Sequence, residues 1–171
     1  MRSVIAVDIG GTHLRAAVVN ELGKVVGGVQ RVRSNFSSLD GVSCDEVLTL
    51  IAESLQSAVT QLGSLQEGVE SIGIGFPGYI SRGVVMGAPN IPALHEVDLA
   101  RELSQRLQRV VVIDNDANCA AFGEWRFGAG GRAESLLHLT LGTGVGGGYL
   151  RRGVIFGGDS GMALEMGHLR V

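Results

Sequence analysis

Apolar and polar positions alternate from the first residues of the chain. Val4 to Ile9, Leu14 to Asn20 and Lys24 to Arg33 carry the period of two and the β-branched content of strands. Gly10-Gly11 and Glu21 to Gly23 supply the turns between them, so the spacing predicts an antiparallel meander. The period then lengthens. Between Asp45 and Leu62 the apolar residues Leu48, Ile51, Leu55, Ala58, Val59 and Leu62 recur at helical spacing. Ser43 and Glu46 fit a capping box for that helix, and Gly63 offers its stop.

Val69 to Phe76 reads as a buried strand ending at Pro77-Gly78, and the loop-rich stretch that follows to Pro92 holds a short strand at Val84 to Met86. Leu99, Leu103 and Leu107 predict a second amphipathic helix over Val97 to Leu107. Val110 to Asp114 is then a short apolar strand, and Asn118 to Phe127 a helix of small residues ending at Gly128. Ser135 to Leu141 and Val145 to Leu150 predict a hairpin around a glycine run. The order βββαβαβ is that of an α/β architecture, the ribonuclease H-like, actin-like ATPase fold. On this reading residues 1–114 are a complete first lobe, and residues 115–171 are the start of a second, truncated one, with the boundary near Ile113 to Asn118.

Composition narrows the function classes. A hydrophobic share of 45% fits a sheet covered on both faces rather than a disordered chain. The net charge of -3, with Lys and Arg scattered, supplies no footprint for nucleic acid or an anionic membrane, so the expected partners are small molecules. No apolar run approaches the ~20 residues of a membrane span. Cys44 and Cys119 form no metal-ligand spacing and are expected as reduced, packed thiols. A cytoplasmic protein is expected.

Glycine, at 27 residues, is clustered rather than spread, which marks places where backbone turns tightly or approaches a ligand. Asp8-Ile9-Gly10-Gly11-Thr12 sits at the first predicted turn. There backbone N–H groups and the Thr12 hydroxyl can meet phosphate oxygens, with Asp8 placed to hold the water shell of Mg²⁺. Leu141 to Gly148 repeats the idea, with Thr143 set between glycines. Asp114-Asn115-Asp116-Ala117-Asn118 lies at a strand-to-helix junction, where α/β proteins place ligands. A carboxylate there can take the proton of an attacking hydroxyl, or merely cap the helix. Glu165 and His168, three residues apart, also fit neighbours on a helix face.

In order, Asp8 to Thr12, Gly75-Phe76-Pro77-Gly78, Pro89-Asn90, Asn115 to Asn118, Gly142 to Gly148 and Glu165-Met166-Gly167-His168 resemble the successive motifs of ROK-family sugar kinases. The family takes its name from repressors, open reading frames and kinases. The resemblance covers essentially the whole chain. It implies an ATP- and Mg²⁺-dependent kinase that phosphorylates a hexose, glucose first, by direct in-line transfer, with Asp116 as catalytic base. It implies Asn90, Asn115, Asp116, Glu165 and His168 as sugar contacts. Gly10, Gly11 and Thr12, with Thr143 and Gly144, become the two phosphate turns, and Asp8 the Mg²⁺-side carboxylate acting through water.

His13 stands where the family usually has Lys, and members run to about two domains' length. The cysteine-rich loop that binds a structural Zn²⁺ in many members, with His168 as one ligand, is absent, as is the region that holds adenosine. Zinc is therefore expected only in a full-length form, and the 171-residue piece alone is expected to be inactive. Homodimers or homotetramers are the family's common states. The rival within the family is a sugar-sensing, non-catalytic regulator. Its repressors carry a helix-turn-helix before this module, for which Asp8 comes too early.

Overall fold

The computed structural model describes residues 2–34, 36, 39, 41–131, 133–141 and 145–158. β1 (Ser3–Ile9), β2 (His13–Asn20) and β3 (Val25–Arg33) form the predicted meander, with β1 and β2 in unbroken antiparallel register from Ser3↔Asn20 to Ile9↔Leu14. β4 (Ser71–Phe76) and β7 (Val110–Asn115) then add in parallel on the other side of β1, giving the order β3-β2-β1-β4-β7.

Strand alternation sends Ile5, Val7 and Ile9 of β1 to one face, where they are buried. Two helices cover that face. α1 (Cys44–Gln61) contributes Val47, Leu48, Ile51, Leu55, Ala58 and Val59, and α2 (Leu99–Leu107) contributes Leu99, Leu103 and Leu107. Each of the valine, leucine and isoleucine side chains, fully buried, contributes about 1.5–3 kcal/mol relative to exposure. The start of α1 is fixed by the Ser43–Glu46 capping box, and Arg106 of α2 reaches back to Asp45 Oδ1 at 2.6 Å.

The opposite face carries the chemistry. The registers Arg15↔Arg31, Asp8↔Arg15, Asp8↔Gly75 and Gly75↔Asp114 align one residue from each strand in a single row. α3 (Asp116–Phe127) crosses this face at its carboxyl end. It also packs on a second sheet of β8 (Ser135–Leu141), β9 (Val145–Arg151) and β10 (Val154–Ile155), in the order β10-β9-β8.

The starts of α2 and α3 each differ by two residues from the sequence expectation. α3 starts at Asp116 rather than Asn118, because the Asn115 side chain accepts from the N–H groups of Ala117 and Asn118 and so serves as the cap. α2 starts at Leu99 rather than Val97, because Val97 exchanges both backbone hydrogen bonds with Val85 and Asp98 caps the helix through the Arg101 N–H. Two strands were not foreseen: β5 (Tyr79–Ser81), paired with β6 (Val84–Gly87), and β10, paired with β9.

Both unforeseen strands enter or leave a two-residue Arg-Gly turn. Arg82 and Gly83 have φ of 51° and 86°, and Arg152 and Gly153 have 51° and 78°. Two consecutive positive φ values define the tight hairpin turn whose twist matches that of strands. Asn or Asp usually takes its first position, so Arg there hides the signal.

Candidate active site

The polar run after β7 is sorted by its hydrogen bonds. Asp114 Oδ1 accepts from the Asn115 N–H at 2.7 Å and from Asn118 Nδ2 at 3.0 Å. Asn115 Oδ1 caps α3, while its Nδ2 donates to the Gly78 carbonyl at 3.0 Å and ties the loop after β4 to the helix start. Asp116 alone keeps an exposed carboxylate, with one oxygen accepting the Ala117 N–H at 2.8 Å. Of the two acids weighed as mere caps, neither is the cap: Asn115 is.

Asp116 lines a cavity of about 220 Å³ together with Asn90 and Asn115, floored by Gly78 and closed on the far side by Gly146 and Gly147 of β9. This is smaller than the ~300–1,000 Å³ of sites for drug-sized molecules, and suits a small polar one. Three of the five predicted sugar-contact residues thus meet in one hollow. Glu165 and His168 lie outside the described residues. A larger hollow of about 730 Å³ at the opposite end of the sheet is lined by Arg109. The guanidinium there is already spent on Val69 O and Gln66 Oε1.

The electrostatics single out the same acid. Desolvation pushes the Asp116 carboxyl above its ordinary range, and Asp8 adds to the rise, against the lowering effect of the Ala117 N–H. Cys119 on the next turn of α3 lies near Asp116 and Gly75, and its thiol is pushed up to about 12 by burial first, then by Asp114, Asp116 and Asp8. It is inert as a nucleophile at neutral pH. Contrary to the expectation of a packed thiol, part of its surface is exposed.

The first glycine turn lies at the end of the same face. Gly10 N–H donates to His13 O at 2.9 Å, and Ser34 clamps the turn by donating from N to Thr12 O at 3.0 Å and from Oγ to Gly10 O at 3.2 Å. The Thr12 hydroxyl contacts His13 Nδ1 at 3.0 Å. Asp8, at the end of β1, pairs with Arg15 at 3.5 Å, and both side chains are more than half exposed. Such a pair adds little stability.

Among the described residues no group of three or more His, Cys, Asp or Glu could enclose a metal ion. The single exposed carboxylate of Asp8 beside a glycine turn would fit a Mg²⁺ brought in by its ligand and keeping several waters. The expected β8–β9 hairpin pairing is present up to Leu141↔Val145, and Thr143 and Gly144 lie outside the described residues.

Sequence reasoning missed Arg15 and Ser34, and named Asn118 without foreseeing its bond to Asp114. Arg15 was findable: a tight turn at Gly10 to Thr12 sets it opposite Asp8 across the hairpin. Ser34 was not, since its contact with Gly10 spans 24 residues. No helix among the described residues is long and apolar enough to cross a membrane.

Comparison with known proteins identifies the family and the fold. The family model described as the ROK family matches residues 4–171. A glucokinase of Thermotoga maritima is 37% identical over 98% of this chain and 50% of its own length. A putative xylose repressor of a Caldicellulosiruptor species is 30% identical over 98% of this chain and 41% of its own. The crystal structure of a ROK family glucokinase from Streptomyces griseus, in complex with glucose and AMPPNP, superposes with a TM-score of 0.79 at 37% identity. That match covers 99% of this chain and 51% of that one. The chain spans about half the length of the curated relatives it matches.

Proposed function

The chain belongs to the ROK family, and we infer that it carries the acceptor site and the first phosphate turn of an ATP-dependent hexose kinase, with glucose as the first substrate. The observation that carries the reading is the isolation of Asp116. It is the one acid of its run left exposed, its carboxyl is raised toward proton acceptance, and it shares a small cavity with Asn90 and Asn115.

In this reading a hexose hydroxyl gives its proton to Asp116 as its oxygen bonds to the γ-phosphorus and the bond to the leaving diphosphate oxygen breaks. Phosphoryl transfer through a loose transition state asks the protein for position and charge more than covalent chemistry. Asn90 orients the sugar, joined by the remaining amide hydrogen of Asn115 and by Glu165 and His168. Gly10, Gly11 and Thr12 receive phosphate oxygens, with Thr143 and Gly144 as the second turn. Mg²⁺ supplies charge neutralisation on those phosphates, and Asp8 holds its water shell. A structural Zn²⁺ with His168 as one ligand belongs to a full-length form, as does a homodimer or homotetramer, in the cytoplasm. Residues 1–114 and 115–171 are the two lobes between which this site forms.

The test is ADP release from ATP and Mg²⁺ with glucose, mannose, fructose and N-acetylated hexosamines, using the protein at the length of its relatives and its Asp116→Asn variant. Loss of roughly 10²–10⁴-fold in turnover on removing the base is expected. Sugar binding without any ADP release would replace the kinase by a sensor, a reading favoured by the similarity to a xylose repressor.

A further inference from the structure

The polar side chains of the cavity at Asp116 all have work in the reading above, but its apolar wall has none. Asn90, Asn115 and Asp116 share that cavity with Pro77, Tyr79 and Pro89. Tyr79 is the one aromatic side chain among the lining residues. It opens β5, the short strand paired with β6.

The hairpin is anchored in the core by other residues. Ile80 and Val85 stand opposite each other and are 5% and 0% exposed. From that pair, regular alternation would set Tyr79 opposite Met86. The register slips by one residue instead, and Tyr79 faces Gly87. Bulges of this kind re-aim a side chain and are frequent beside active sites. Two glycines make the room. A Cβ on Gly87 would stand 3.3 Å from Tyr79 Cδ2, and one on Gly78 only 2.9 Å from Gly87 O. The ring is thereby seated close to the β6 backbone, at the wall of the cavity.

The far end of this side chain is unspent. A buried Tyr hydroxyl usually finds a hydrogen-bond partner. Tyr79 is only half-buried, and among the described residues its phenolic oxygen has no partner. A hexose carries hydroxyls around its edge and C–H groups on its faces. The two amides and the carboxylate match the edge, whereas a face calls for a flat apolar surface, which binding cavities supply with aromatic side chains.

We propose that Tyr79 is an acceptor-binding residue, its ring packed against the C–H face of the hexose while Asp116 meets the reacting hydroxyl. The proposal rests on the sugar-binding part of the kinase reading. Because the ring touches no reacting atom, its contribution is equal in the ground and transition states and appears in KM rather than kcat.

Calorimetric titration and steady-state ADP release test it, on the protein at the length of its relatives. The probe is whichever of glucose, mannose, fructose and the N-acetylated hexosamines the parent binds most tightly. The comparison is between the parent, Tyr79→Phe, Tyr79→Leu and the remote control Lys24→Gln. Tyr79→Leu keeps an apolar side chain near Gly87 and removes the flat ring. It should weaken sugar binding and raise KM by about three- to tenfold, with kcat changed by less than about twofold. Tyr79→Phe and Lys24→Gln should match the parent. A Tyr79→Leu variant that binds sugar like the parent overturns the proposal. So does one that loses kcat at unchanged KM, which would make the ring a mere support for Asn115 and Asp116. Tyr79→Phe as weak as Tyr79→Leu overturns it by moving the contact to the hydroxyl, and a parent that binds no sugar of the panel overturns it outright. The two readings fail separately: sugar phosphorylation indifferent to Tyr79→Leu sinks the platform alone, and sugar binding that depends on Tyr79 without ADP release sinks the kinase alone.

Discussion

The side-chain amide of Asn115 donates to the carbonyl oxygen of Gly78 at 3.0 Å while its own oxygen accepts the N–H groups of Ala117 and Asn118. One residue thus joins the start of α3 to the loop after β4, and Asp116 is held between them. Asn115→Ala removes the cap and leaves the Gly78 carbonyl without this donor, for an expected loss of about 1–3 kcal/mol in urea denaturation. Asn115→Asp keeps the cap and loses only the tie, so its loss should be the smaller. Equal losses would show that the cap contributes nothing, and an Asn115→Asp variant as stable as the parent would show that the tie to Gly78 contributes nothing.

Asp116 makes stability depend on pH in a definite direction. Its folded carboxyl is raised from 3.8, so as pH climbs from that value the unfolded chain releases its proton first, and stability falls through the window up to the raised folded value. Asp116→Asn removes that loss. The variant should melt higher than the parent at neutral pH, and the two should converge as pH drops below 3.8. A gap that persists in strong acid would mean that the gain comes from elsewhere.

Two glycines against α3 differ in how much room they leave. A Cβ on Gly148 would stand 2.7 Å from Ala121 Cβ and 2.8 Å from Ala117 O, whereas one on Gly75 would meet Asp116 Cα at 3.6 Å and Cys119 Sγ at 3.7 Å. Gly148→Ala must push the second sheet off α3, at an expected 1–3 kcal/mol, roughly the cost of overpacking. Gly75→Ala sits at ordinary contact distance, so its thermal midpoint should barely move.

At the start of α1, Ser43 Oγ and N both donate to Glu46 Oε2, at 2.6 and 3.0 Å, and hold that carboxyl below its usual range. The stabilisation is present above the ordinary carboxylate pKa and is lost as pH falls through the lowered folded value. Ser43→Ala should cost about 1 kcal/mol at neutral pH. The deficit should shrink in acid, as read from denaturation midpoints across pH.

The pattern of apolar positions was enough to determine the meander, both core helices and the parallel strands, because each buries a continuous stripe whose period is written in the chain. Leu48, Ile51 and Leu55 had to share a helix face, and Ile5, Val7 and Ile9 a strand face. The capping box at Ser43 was equally local, needing only residues three apart. Asp116, Asn115 and Asn90 could be nominated from the motif order, and the structure brings those three together in one cavity.

What tertiary structure alone decided is which polar group does which work. Nothing in the run from Asp114 to Asn118 says that the first amide caps the helix and the first acid is spent on Asn118; that depends on where Gly78 lies, 37 residues earlier. The row of Arg31, Arg15, Asp8, Gly75 and Asp114 exists only once strands far apart in sequence are in register. Hydrophobic burial is non-directional and repeats with the period of the chain, so it can be read locally. Hydrogen bonds and charges depend on distances between groups that meet only in the folded sheet.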